Sequence, residues 1–164
     1  FGHACSTDHM KLVLDTNIVL DWLLFEDARM SELQRAWDEQ RLELVTHMPA
    51  LEELRRVLTY PQFKLADAEQ AALLECYESR ARIVSLPAGV TLENLGMPAG
   101  FPRCKDCDDD HFLALAYHHR ADAVVSKDRA VLDLAKRARR FGVTVLGPQQ
   151  LTAKLRDTSS RPIP

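Results

Sequence analysis

No apolar run in the 164 residues approaches the roughly 18 that a membrane-spanning helix needs. Cysteine is scarce. Four residues, one of them Cys5 near the start, cannot make a disulfide scaffold for a chain of this length, and a reducing cytoplasm is the default reading. Net positive charge is missing as well. A formal charge of -3 excludes a general attraction to nucleic acid, so any such contact must use local basic groups or bound cations. There is no repeat, no low-complexity block and no linker between two domains. The opening "FGHACSTDHM" lacks the basic stretch and apolar core of a signal peptide. Residues 1–9 read as a cloning remnant with Met10 as the native start, residues 10–156 as the domain, and residues 157–164 as a polar, mobile tail. What is present, 46% apolar and 27% charged residues, suffices for one sizeable core.

Strand and helix patterns alternate along the chain. "KLVLD" (11–15), "LELVT" (42–46), "IVSL" (83–86), "DAVVS" (122–126) and "VTVL" (143–146) read as strands. Residues 17–24, 28–40, 49–59, 67–82, 108–119 and 129–140 read as helices, with Pro49 at a first helical position and Asp67 as a cap. The Gly- and Pro-rich stretch 87–102 reads as a loop. This order predicts a three-layer α/β/α, Rossmann-like domain around a central, mostly parallel five-stranded sheet. In such sheets functional groups gather at the carboxyl ends of the strands.

Asp15 and Asp128 both fall there, and they are not alone. Glu52 or Glu53 follows the second strand, and Asp108, Asp109 and Asp110 open a later helix. Taken singly, Asp15, Asp108 and Asp128 could each cap a helix, and the glutamates could be solvated. Crowded at one sheet edge, however, these acids would repel one another without a cation. Mg²⁺ and Mn²⁺ prefer such hard oxygen ligands. Two such ions can activate a water and stabilise the leaving oxygen of a phosphodiester. Helical spacing separates the two glutamates: Ala50, Leu51, Leu54, Val57 and Leu58 form an apolar stripe with Glu53 on its flank and Glu52 nearly opposite, so Glu53 is the ligand candidate.

The segments "VLDTN", "LEELRRVL", "DDDHFLALA" and "AVVSKD", in that order, resemble the acidic motifs of the PIN domain family, closest to its toxin–antitoxin toxins. The resemblance runs from Met10 to about residue 151. It implies a metal-dependent ribonuclease that cleaves single-stranded RNA with Mg²⁺ or Mn²⁺, in partnership with a cognate antitoxin protein and as a homodimer or higher oligomer. Carried over by motif, Asp15, Glu53, Asp110 and Asp128 are the catalytic and metal-binding acids, Asp110 because it precedes the apolar run, with Asp108 as an extra ligand. Thr16, Asn17 and Ser126 are polar supports. The chain departs from that subgroup at Cys107, where a proline is common, and at Ala130, where another acid is common. The second departure bears on whether two metals are fully held.

Basic residues within or beside the motifs, Arg55, Arg103, Lys105, Lys127 and Arg129, are the candidates for holding RNA. "KRARR" (136–140) could bind phosphate or simply suit a helix C-terminus. "CKDC" (104–107) has no second paired motif to complete a zinc site. Trp22, Phe25 and Trp37 are spaced as core or dimer contacts. A haloacid-dehalogenase-type phosphatase needs a second aspartate where Asn17 stands. The remaining rival is a PIN fold with little catalysis that binds RNA or protein.

Overall fold

The computed structural model of the chain describes residues 9–103 and 107–159. Five strands form one sheet: β1 (Met10–Leu14), β2 (Leu42–Thr46), β3 (Ala81–Ile83), β4 (Ala123–Val125) and β5 (Val145–Leu146). Their order is β3-β2-β1-β4-β5, and every neighbouring pair is parallel. Around them lie α1 (Thr16–Leu23), α2 (Ser31–Asp38), α3 (Met48–Leu58), α4 (Asp67–Arg80), α5 (Asp110–His119), α6 (Arg129–Leu132), α7 (Ala135–Arg139) and α8 (Pro148–Ser159).

Side-chain alternation along the strands separates two cores. Leu12 and Leu14 of β1, Leu42 and Leu44 of β2, and Val125 of β4 face one layer with α1, α2, α3, α4 and α8. Val13, Val45, Val124 and Val145 face the other, covered by α5, α6 and α7 and by Phe101 of the long loop. Strands buried on both faces explain the nearly continuous apolar runs of β1 and β4. Trp22 is buried against Trp37, with the Arg80 guanidinium 4.8 Å from its ring centre, so these tryptophans are packing groups.

The strand order places the topological switch between β1 and β4. From β1 the chain moves one way, to β2 and β3, then crosses back through α5 to β4 and β5. A crevice opens at the carboxyl ends of two such strands, because their following helices leave on opposite faces of the sheet.

Several elements differ from the sequence reading. β3 occupies 81–83 instead of 83–86, because it pairs with β2 (Ala81 opposite Leu44, Ile83 opposite Thr46) and the ladder ends where β2 ends. Asp67 is the first residue of α4, not its cap. Ala66 holds the cap position, and its N–H donates to the Glu69 carboxylate at 3.1 Å. The single helix expected over 129–140 is two short ones; the Leu134 N–H reaches back only three residues, to the Val131 carbonyl, which tightens the turn between them. The helix α8 was not anticipated. It continues through Ser159, so the boundary at residue 156 falls inside it, and Leu151 and Leu155 insert into the first core. Polar residues on its other face hide this role from a composition reading. Residues 160–164 of the expected tail, and Cys104 and Lys105 of the cysteine motif, lie outside the described residues.

Candidate active site

Asp15 ends β1 and caps α1, where its Oδ1 accepts the Ile18 N–H at 3.0 Å. Its Oδ2 accepts the hydroxyl of Ser126, the fully buried residue that follows β4. The Ser126 oxygen in turn accepts the Asp128 N–H at 3.0 Å. Asp128 caps α6 through the Ala130 N–H at 2.9 Å. Ser126 therefore bridges the carboxyl ends of β1 and β4, and two acids flank it across the switch point. Both acids do cap helices, as the plain reading held, and that position is what aims them into one crevice.

Glu53 enters from α3. It is half-buried and accepts the Thr16 hydroxyl, which fixes it beside the start of α1, whereas Glu52 is exposed. Asn17 is exposed on the first turn of α1.

Asp109, the neighbour of the acid chosen by motif, also reaches this site from its place immediately before α5. Burial, a hydrogen bond to Asp128 and the charges of Asp15, Glu53 and Asp128 push it up to about 7. Asp110, the first residue of α5, is as buried as Asp15, with Oδ2 at 3.4 Å from the Arg103 Nε. Asp108 is exposed. Three adjacent aspartates offer the same chemistry, so no signal in the chain itself separates them.

Burial pushes the Asp15 carboxyl up to about 6; its bonds to Ser126 and Ile18 pull it down, and the charges of Asp128 and Glu53 raise it again. The charges of Glu53 and Asp128 thus act on both Asp15 and Asp109, whose carboxyls are the raised ones. Among the described residues no three His, Cys, Asp or Glu side chains form a ready-made cage for a metal ion. The donor chemistry still fits one: all oxygen, excess negative charge, and no soft ligand, the set that suits a cation held by one or two carboxylates and water.

The basic candidates take separate places. Arg55 is exposed on α3, Arg103 is exposed beside Asp110, and Arg129 is 89% exposed. Lys127 is committed to Asp21 of α1, a buried acid that periodicity did not single out, with Nζ at 3.0 and 2.9 Å from its two oxygens. His47, just before α3, stacks on His111 of α5, with Nε2 and Nδ1 2.9 Å apart. Burial lowers both to about 4; the His111 and His119 charges reinforce this at His47, and Asp108 opposes it at His111.

Residues 11–130 match the family model described as PIN domain. No curated protein matches the chain. Among solved structures, the chain is similar to the crystal structure of VapBC2 from Rickettsia felis bound to a DNA fragment from their promoter. The TM-score is 0.54, the identity 17%, and the match covers 84% of this chain and 98% of that one, a likeness of fold. With a model matching most of its length, a parallel five-stranded sheet and acids gathered at the switch point, the chain belongs to the PIN domain family.

Proposed function

We propose that the protein is a metal-dependent endoribonuclease that cleaves single-stranded RNA and acts as the toxin of a toxin–antitoxin pair in the cytoplasm. The observation that carries this reading is the convergence of Asp15, Glu53, Asp109 and Asp128, with Asp110 beside Asp109, where burial first and then the neighbouring charges raise the carboxyls of Asp15 and Asp109. A bound Mg²⁺ or Mn²⁺ supplies Lewis-acid charge at the scissile phosphate and lowers the pKa of water beside it.

The chain's own residues do the rest. Asp15 and Asp128, tied through Ser126, are the fixed anchors for the cation. Glu53, held by Thr16, Asp110 as the motif implies, and Asp109 complete its surroundings, and Asp109 can accept a proton from the attacking water. Asp108 stands at the exposed rim. Arg103 and Arg129 flank the crevice and can orient a phosphodiester. The fold likeness to VapBC2 favours a cognate antitoxin protein as the partner. An acidic crevice with an arginine rim suits a segment of that partner carrying its own basic side chain.

The test is cleavage of an unstructured RNA with Mn²⁺, with EDTA, and with Asp15→Asn in Mn²⁺. Cleavage is expected only for the wild type with metal. Equal cleavage by Asp15→Asn, or cleavage in EDTA, would overturn the assignment.

A further inference from the structure

Asp21 is 3% exposed, yet it is an acid on a helix whose other inward residues are apolar. A buried carboxylate needs a counter-charge. Arg29 does not supply it in full: its guanidinium is engaged by Asp27 at 2.8 Å and approaches Asp21 only to 3.8 Å. Lys127 does, at 2.9 Å. That lysine lies between Ser126 and Asp128, in the turn that joins β4 to α6. The turn is therefore tied to α1 twice, by Ser126 at Asp15 and by Lys127 at Asp21.

We infer that the Lys127–Asp21 ion pair is a strut that fixes Asp128 relative to Asp15, making Lys127 and Asp21 positioning residues of the acid site. This rests on the nuclease reading for its functional meaning, though the strut itself is testable without metal. The two ties do different work. Ser126 sets where the turn begins, close to the sheet. Lys127 clamps it from the far side, six residues further along α1 from Asp15, so the turn cannot pivot about the serine. A lysine so engaged is not available as an RNA contact. Losing Lys127 leaves Asp21 buried without its main counter-charge and frees the turn. Losing both members removes the buried charge along with the strut, so the double variant need be no worse than the lysine variant.

The variants Lys127→Met, Lys127→Arg, Asp21→Asn and the double Asp21→Asn/Lys127→Met separate these effects. In metal-free protein, hydrogen exchange at the Asp128 and Val131 amides, bonded to Ser126 Oγ and the Asp128 carbonyl, reports the turn. The Leu44 amide of β2 reports global opening. Lys127→Met is expected to speed exchange at Asp128 and Val131 roughly tenfold beyond any change at Leu44, and to weaken Mn²⁺ binding by calorimetry about tenfold or more. Lys127→Arg should stay near wild type in both, and the double variant should match Lys127→Met. Exchange that rises no more at the turn than at Leu44 would overturn the strut, as would fully additive losses in the double variant. A wild type that takes up no Mn²⁺ would sink the metal-dependent reading instead, and the exchange ratio would still decide the strut.

Discussion

Asp15 and Asp109 concentrate the residue-scale consequences. Both carboxyls are raised, to about 6 and about 7, above the ordinary value near 3.8. A raised carboxyl contributes stability below its unfolded value and loses it as pH climbs through the folded one. Metal-free protein should therefore lose stability through these groups between about pH 4 and pH 7. The His47–His111 pair runs the other way. Its lowered values, about 4, give stability present above the ordinary 6.5 and lost as pH falls towards 4. Comparing Asp15→Asn with wild type cancels the histidine contribution. The variant should be the more stable at pH 8 without metal, by on the order of 3 kcal/mol, and by about half of that at pH 5. Urea unfolding at the two pH values measures this, and a difference independent of pH would count against a shifted Asp15. A second test concerns the adjacent aspartates: Asp109→Asn and Asp110→Asn should each weaken Mn²⁺ binding about tenfold or more. Unchanged affinity in either variant would remove that residue from the site.

Two helices carry the arguments at the scale of elements. On α3 the apolar stripe of Ala50, Leu51, Leu54 and Leu58 faces the core, which leaves Glu53 half-buried against Thr16 and Glu52 in solvent. Glu53→Gln is expected to lower both Mn²⁺ affinity and cleavage far more than Glu52→Gln; a larger loss at Glu52 would overturn the facing argument. On α8 the pair Leu151 and Leu155 sits 2% and 1% exposed in the same core as β1. Leu155→Ala should cost about 2–5 kcal/mol by urea unfolding. A value under about half a kcal/mol, the level of surface substitutions, would mean that α8 is an appendage after all.

At the scale of the whole molecule, charge and shape pull in different directions. The formal charge is -3, and four of the acids counted in it gather in the crevice, where the proposed RNA substrate would approach. RNA affinity should therefore rest on the bound cation as well as on exposed arginines. For the wild type and a non-hydrolysable RNA analogue, replacing Mn²⁺ by EDTA should weaken binding at least tenfold, the factor equivalent to about 1.4 kcal/mol. Unchanged affinity in EDTA would favour a metal-independent binding module. Among the described residues no helix is long and apolar enough to cross a membrane.

The alternation of strands and helices was legible in the chain itself, because apolar periodicity is a local property. So was the placing of Asp15, which directly follows the apolar run of β1, and of Asp128, three residues past the run of β4 and just before the next helix. That Glu53 faces the core flank and Glu52 the solvent follows from helical angle alone. What needed the folded molecule was anything decided between segments. The length of β3 is set by where β2 stops. That Asp109 meets Asp128 depends on how the turn before α5 packs against the turn after β4. The role of Lys127 depends on Asp21, which lies 106 positions earlier in the chain. The helix α8 depends on a core it fills but does not announce. Local pattern fixes which way a side chain faces along its own element; only packing determines which distant charge it meets, because that distance is set by the sheet order and not by the sequence between.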